Sequence, residues 1–269
     1  MSTLTSGLQV AVIGGGVMGE TLIAALRSAG VEQLTVSEPQ AERAAELTER
    51  YGIESADSAR AVAGATVVIL AVKPHHVADA VQQIADAVRS DAVVVSVAAG
   101  ITTGSIETAL HDGVAVVRAM PNTPAVIGQG MFGVSAGSSV SAEQLDLVVE
   151  LLSTAGRVAV VDESQQDAVT AVSGSGPAYL FYLAEAMIDG GVAAGLDPQT
   201  ARELTEQTLV GAAALLAGSQ ESPEELRRRV TSPNGTTHAA TTTFDEQGAA
   251  AALRAGVAAA AARARELAG

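Results

Sequence analysis

Five short runs in the first half of this chain are apolar nearly from end to end, and most lead into stretches with helical periodicity. Gln9 to Ile13 precedes a helix-patterned stretch from about Val17 to Ala29, and Leu34 to Ser37 precedes a Glu-, Ala- and Arg-rich one from about Gln40 to Tyr51. Thr66 to Val72 is followed, past Pro74, by Val77 to Val88; Ala92 to Val97 and Val114 to Val117 complete the series. A strand with one face in water alternates polar and apolar residues, so a strand apolar throughout is covered on both faces. Separated by helices, such strands predict right-handed β–α–β units and a doubly wound parallel sheet of the α/β class. Met131 to Ser135 and Arg157 to Val161 are expected as late strands around a helix over Ala142 to Leu152. Beyond about Glu163 the strand signal stops. Tyr179 to Ala194, Gln199 to Leu216 and Ala249 to Leu267 read as helices, with Asp197-Pro198 as a helix start. The stretch from Tyr179 to Ile188 is apolar almost all round, which demands burial on several sides. Such a helical half is expected to complete its core against a second subunit.

Gly14-Gly15-Gly16-Val17-Met18-Gly19 follows Ile13 at the end of the first strand and opens the first helix. This is the context that a G-x-G-x-x-G dinucleotide turn requires. The first glycine permits the tight turn, the second lets the backbone approach a pyrophosphate, and Gly19 lets helix and strand pack closely. The pyrophosphate then meets the N–H groups and the dipole of a helix N-terminus. The glycines are not followed by Lys-Ser/Thr, which excludes a nucleoside-triphosphate loop. The first domain is therefore expected to be of Rossmann type over residues 1–162, with an all-helical domain over 163–269. Glu38 ends the second strand, 24 positions after Gly14, near the spacing of a ribose-binding acid. A carboxylate there accepts from ribose hydroxyls and repels a 2′-phosphate. Arg43 lies close enough in sequence to approach such a phosphate, and Ser37 could donate to it. At this level NADPH and NADH both stay open.

The charge balance excludes some partners. With 15 Lys and Arg against 30 Asp and Glu, the net charge is −15, which argues against nucleic acid and against anionic lipid. Cysteine is absent, so disulfides, thiol nucleophiles and Cys-bound metals drop out. Prolines and glycines interrupt the longest uncharged stretches, and Met1 to Gln9 lacks a basic leader region; no membrane span and no signal peptide are expected. These readings suit a cytoplasmic protein.

Three further segments occur in order. They are Ala71-Val72-Lys73-Pro74, Ser173-Gly174-Ser175-Gly176-Pro177-Ala178-Tyr179 and Thr231-Ser232-Pro233-Asn234-Gly235-Thr236-Thr237. Together with the glycine turn and Met120-Pro121-Asn122-Thr123-Pro124, they resemble the pyrroline-5-carboxylate reductases, over nearly the whole chain. The resemblance implies a Rossmann-type domain followed by a helical dimerisation domain. It implies homodimers, often assembled into rings such as a decamer. It further implies reduction of L-1-pyrroline-5-carboxylate, a small cyclic imino acid, to L-proline with NADPH or NADH. One departure is visible: the family's threonine-rich motif has two glycines after Ser-Pro, and here the first is Asn234. Asn is the non-glycine residue that best tolerates positive φ, so the turn is expected to survive.

For the cofactor, the resemblance places Ala71, Val72, Lys73 and Pro74 along the nicotinamide ribose and pyrophosphate. Val97, Ala98 and Ala99 end the fourth strand and are expected on the nicotinamide side, and Ser58 is a further candidate for the adenosine end. For the substrate, Gly235, Thr236 and Thr237 take the carboxylate at a helix N-terminus, with Ser232 and Asn234 shaping the turn. Local sequence alone reads the same residues as a capped turn before a helix; the resemblance reverses that. The Thr237 hydroxyl is the candidate catalytic group, at the ring nitrogen. Ser175 and Gly176 bring backbone close to the ring. By resemblance Glu163 lies beside the substrate amine, where a carboxylate favours the cationic nitrogen. The four histidines have no metal-ligand spacing, and no catalytic metal is expected. A β-hydroxyacid dehydrogenase shares the two-domain plan but typically uses a lysine in the helical half, and none occurs from Gly174 to Gly269. A non-catalytic NAD(P)-binding redox regulator would retain the glycine turn but has no need of Ser232 to Thr237.

Overall fold

A computed structural model describes residues 7–268. Met1 to Ser6, part of the stretch read above for a leader, and Gly269 lie outside them. The chain opens with β1 (Gln9–Ile13), α1 (Val17–Ser28), β2 (Gln33–Ser37), α2 (Ala41–Tyr51), β3 (Glu54–Ser55) and α3 (Ser58–Val62). It continues through β4 (Val67–Leu70), α4 (Val77–Ile84), β5 (Val93–Ser96), α5 (Thr103–Glu107), β6 (Ala115–Met120) and β7 (Gly130–Ala136). Then come α6 (Ala142–Ser153), β8 (Gly156–Val160) and α7 (Gln166–Val169). Five helices follow: α8 (Gly176–Ala193), α9 (Pro198–Gly218), α10 (Pro223–Arg229), α11 (Thr236–Glu246) and α12 (Ala249–Ala268).

The strands form one sheet in the order β3-β2-β1-β4-β5-β6-β7-β8. Every neighbouring pair is parallel except β6 and β7. The link from Met120 to Gly130 holds only a short 3₁₀ turn, Thr123–Ile127, too little chain for the crossover that a parallel return needs. Along β1, Val10 and Val12 point into one apolar cluster with Leu22, Leu26 and Leu47, while Ala11 and Ile13 point into another with Val62, Val81 and Ile84. That alternation explains why the strand sequences are apolar on both faces. Chain order runs outward from β1 through β2 to β3, then resumes beside β1 at β4. The crevice between β1 and β4 is thus a topological switch point, where ligands of open α/β sheets bind.

The major strands and helices lie where the periodicity predicts them. Five short elements were not foreseen: β3 is two polar residues long, α3 and α5 have five residues each, α7 has four, and α10 has seven. The fourth helix stops at Ile84, short of the expected Val88.

The chain forms two compact units. One comprises the described residues up to Ser175 with those from Ala260 onward; the other is Gly176–Ala259. In the second unit α8 packs on α9, yet α8 has no buried residue and α9 buries only Ala201 and Thr205. Leu180, Phe181, Tyr182 and Leu183 are all exposed, Phe181 by 65%. The burial this apolar helix demands is therefore not supplied within its own unit. Among the described residues no helix is long and apolar enough to cross a membrane.

Candidate active site

The glycine turn lies at the carboxyl end of β1, inside the switch point. Gly14 N–H donates to the Ser37 carbonyl at 2.8 Å, and Ala71 N–H donates to the Ile13 carbonyl at 2.8 Å, so the ends of β2, β1 and β4 are tied together. Gly14 has φ +103°, and a Cβ there would come within 2.7 Å of the Ala71 oxygen. A Cβ at Gly19 would be driven into the Gly14 carbonyl. Around Gly16, by contrast, nothing lies within 4 Å of a Cβ position. The first and third glycines are thus consumed by packing, and the second leaves its approach open, as the dinucleotide turn requires. Gly16 caps α1 without a side-chain hydrogen bond, so the first-turn N–H groups of Val17 and Met18 face outward for an anion. Ala71 and Val72 are half-buried and Lys73 and Pro74 exposed just past β4; Val97 and Ala98 are buried and Ala99 exposed just past β5. All these predicted cofactor residues share one edge of the sheet. A cleft of about 450 Å³, lined by Gln9, Thr35, Gly52, Arg60 and Gly64, opens at the opposite, amino-terminal edge.

At the end of β2 the polar groups are already partnered. Glu38 accepts from Gly15 N–H at 2.8 Å through Oε2 and from Gln40 N–H at 2.9 Å through Oε1. Ser37 is buried, and its Oγ lies 3.1 Å from Ser58 Oγ, which donates to Gln83 at 2.9 Å. Arg43 donates to the Gly15 carbonyl at 3.0 Å, to Glu46 at 2.7 Å and to Glu20. Arg50 bridges the same two acids, and Tyr51 donates to Glu20 at 2.9 Å. The Glu20 and Glu46 contacts hold the Arg43 guanidinium above its ordinary pKa. For Glu20, partial burial pushes the other way, but Arg43, Tyr51 and Arg50 together keep its carboxyl below the usual range.

Glu163, expected beside the substrate amine, is held by groups of its own unit. Its carboxylate accepts from Thr103 N–H at 2.8 Å and Thr103 Oγ1 at 2.7 Å, and lies 3.5 Å from Arg118 Nη1. Arg118 is 4% exposed, a buried cation within a strand of valines and alanines. It pairs in register with Ser135, whose Oγ accepts from Gln166 Nε2 at 2.8 Å. Gln166 is fully buried, and its Oε1 has no hydrogen-bond partner. This network pins the segment leaving β8 to α5, β6 and β7. Beyond it the chain makes a π-turn, Thr170–Gly174, closed by Ser175 N–H to the Thr170 carbonyl at 2.8 Å, a distortion frequent at functional sites. Asn122 braces the turn, donating to the Ser173 carbonyl at 3.2 Å while accepting from Met131 N–H at 2.8 Å. Sequence reasoning missed Thr103, Arg118 and Gln166 and gave Asn122, part of a motif it singled out, no role; a charged residue at the end of the Val114 to Val117 run was the available signal. Ser175 ends the turn and Gly176 begins α8.

In the second unit, Ser232 to Thr237 forms the turn that starts α11. Asn234 has φ +58°, the only positive φ outside glycine among the described residues. The turn closes with Gly235 N–H to the Ser232 carbonyl at 3.0 Å, and a Cβ on Gly235 would come within 2.5 Å of Ser232 Oγ. Gly235 caps α11 with no side-chain hydrogen bond, leaving the first-turn N–H groups beside an exposed Thr236 and a half-buried Thr237. Among the described residues no group of three or more His, Asp or Glu side chains is placed to hold a metal ion.

Comparison with known proteins matches both halves. The family model for pyrroline-5-carboxylate reductase dimerisation covers residues 163–267, and one for NADP oxidoreductases, coenzyme F420-dependent, covers residues 9–100. The pyrroline-5-carboxylate reductase of Pseudomonas aeruginosa is 46% identical over 219 residues, 80% of this chain and 80% of that protein. That of Mycobacterium tuberculosis is 43% identical over 221 residues, 79% of this chain and 75% of that protein. A solved pyrroline-5-carboxylate reductase from Coxiella burnetii has a TM-score of 0.93 at 33% identity, covering 98% of this chain and 100% of its own. Identity at this level, carried across both halves and matched by the fold, means that the chain belongs to the pyrroline-5-carboxylate reductase family.

Proposed function

We propose that this chain reduces L-1-pyrroline-5-carboxylate to L-proline with NAD(P)H, the last step of proline biosynthesis, and that the glycine turn takes the nucleotide while the turn before α11 takes the substrate carboxylate. The names and identities of its relatives support the reaction. The glycine turn fits the nucleotide: two positions where a Cβ would collide surround one where a ligand can approach. Ile13 to Gly19 would hold the pyrophosphate, Ser37, Glu38 and Ser58 the adenosine end, and Ala71 to Pro74 with Val97 to Ala99 the nicotinamide half. When bound, the nicotinamide supplies the hydride.

The remaining work belongs to the chain. Gly235, Thr236 and Thr237 take the substrate carboxylate on N–H groups and hydroxyls, with Ser232 and Asn234 setting the turn. Thr237 Oγ1 holds the proton on the ring nitrogen, which sharpens the C=N carbon as an electrophile; water can deliver that proton. Ser175 and Gly176 offer backbone at little bulk. Glu163 favours the cationic ring nitrogen by its negative charge, and Thr103 and Arg118 hold its carboxylate in place. The observation that supports the substrate assignment is the left-handed Asn234, a conformation that glycine, the family's usual residue at this place, enters without steric cost.

The division of labour implies a nucleotide-binding domain over 1–162 and a substrate-binding, dimerising domain over 163–269. It also implies homodimers assembling into a ring such as a decamer. A net charge of −15 supports a cytoplasmic enzyme apart from membranes and nucleic acid. Loss of nicotinamide absorbance with pyrroline-5-carboxylate tests the reaction, and light scattering on the same sample tests the assembly. Protein that binds nucleotide yet leaves the imine unreduced would refute the assignment.

A further inference from the structure

The corner where β2 meets α2 separates the two nicotinamide nucleotides, which differ only by a phosphate on the adenosine ribose. Three groups could have met that phosphate. Ser37 is buried and its hydroxyl is taken up by Ser58, which is itself engaged with Gln83. Arg43, in the first turn of α2, spends its guanidinium on Glu46, Glu20 and the Gly15 carbonyl. Arg60 lines the cleft at the opposite edge of the sheet. The chain has a single lysine, Lys73, and it follows β4 rather than β2. Against these stands Glu38, whose carboxylate is fixed beside the glycine turn by the N–H groups of Gly15 and Gln40. An acid at this position accepts from ribose hydroxyls, whereas a dianionic phosphate beside it meets like charge with no uncommitted cation to offset it.

We infer that this chain selects NADH over NADPH, with Glu38 reading the adenosine ribose and Arg43 withheld from a 2′-phosphate by Glu20 and Glu46. The inference rests on the glycine turn's being the nucleotide site, as proposed above. Arg43 contributes indirectly: by bracing the Gly15 carbonyl it holds the turn that Glu38 also grips. Releasing it should therefore open the site to phosphate.

The test is a fluorescence titration of the full-length protein with NADH and with NADPH, without imine, and competition by 5′-AMP against 2′,5′-ADP. NADH is expected to bind roughly tenfold tighter or more, a difference of about 1.4 kcal/mol, and 5′-AMP to compete better than 2′,5′-ADP. Glu38→Gln retains an acceptor for Gly15 N–H without the charge, and should shrink the preference by roughly tenfold. Glu20→Gln with Glu46→Gln should tighten NADPH alone. Equal or tighter binding of NADPH by the unaltered protein, or a Glu38→Gln variant with the same melting temperature and an unchanged ratio, overturns the inference while leaving imine reduction standing. Failure to bind either nucleotide overturns both.

Discussion

In the α/β unit Leu22, Ile69, Phe132 and Leu151 are fully buried by their own chain, whereas in the helical unit Phe181, Tyr182, Leu204 and Val210 remain exposed. The two units are similarly rich in apolar residues, so composition alone does not separate them. What separates them is whether an element's apolar faces find partners in the same unit. Strands covered from both sides by local helices do; an all-round apolar helix paired with one neighbour does not. The glycine turn thus sits on the self-sufficient unit, and the turn proposed for the substrate sits on the one that lies wholly within the dimerisation match.

Several substitutions should break or sharpen that contrast. The largest effect is expected from Phe181→Asp with Leu183→Asp, which removes two apolar anchors worth about 1.5–3 kcal/mol each. Light scattering should show loss of self-association and turnover should vanish, while NADH titration remains near normal. A monomer that still reduces the imine would erase the distinction between the units. Gly19→Val does the reverse, forcing a side chain into the Gly14 carbonyl. It should cost about 3 kcal/mol, seen as a lowered midpoint in denaturant, and abolish nucleotide binding with self-association preserved.

Thr237→Ala is expected to raise KM for pyrroline-5-carboxylate about tenfold, or 1.4 kcal/mol, with an unaltered nucleotide Kd. An unchanged KM would remove Thr237 from the site. Asn234→Gly should stabilise the helical unit by up to about 1 kcal/mol, because glycine enters positive φ without steric cost, and Asn234→Ala should destabilise it by about 1–2 kcal/mol. The smallest effect concerns acid. Glu20 has a folded pKa below its unfolded value, so its contribution is complete above the ordinary Glu pKa of about 4.3 and is lost as pH falls through the folded value. The melting temperatures of the unaltered chain and of Glu20→Gln should therefore converge toward low pH.

Much of the fold was legible in the sequence because most of its strands are apolar on both faces and its helices are long. The two-residue strand Glu54–Ser55 carries no such pattern and exists only because it pairs with Thr35 and Val36 of β2. The short helices α3 and α5 depend on the Asp57 and Thr102 caps rather than on periodicity. The glycine turn could be read directly, since each glycine answers a local steric demand. The partnership of Thr103, Arg118 and Glu163 could not, because it joins residues far apart in the chain. Nor could sequence spacing show that Arg43, near enough to reach a phosphate, is already engaged.

The hydrogen bond from Gly235 N–H to the Ser232 carbonyl also bears on how this enzyme ages. An Asn-Gly pair is the dipeptide most prone to spontaneous deamidation, in which the glycine amide nitrogen attacks the Asn side-chain carbonyl and expels ammonia. Here that nitrogen is engaged in the turn, so the folded protein is protected at Asn234. Unfolding exposes the pair, and the aspartate or isoaspartate left behind would put a negative charge in the turn proposed for the substrate carboxylate. Stored or heat-cycled protein should therefore lose affinity for the imino acid before it loses affinity for the nucleotide, with isoaspartate appearing at position 234 in peptide maps.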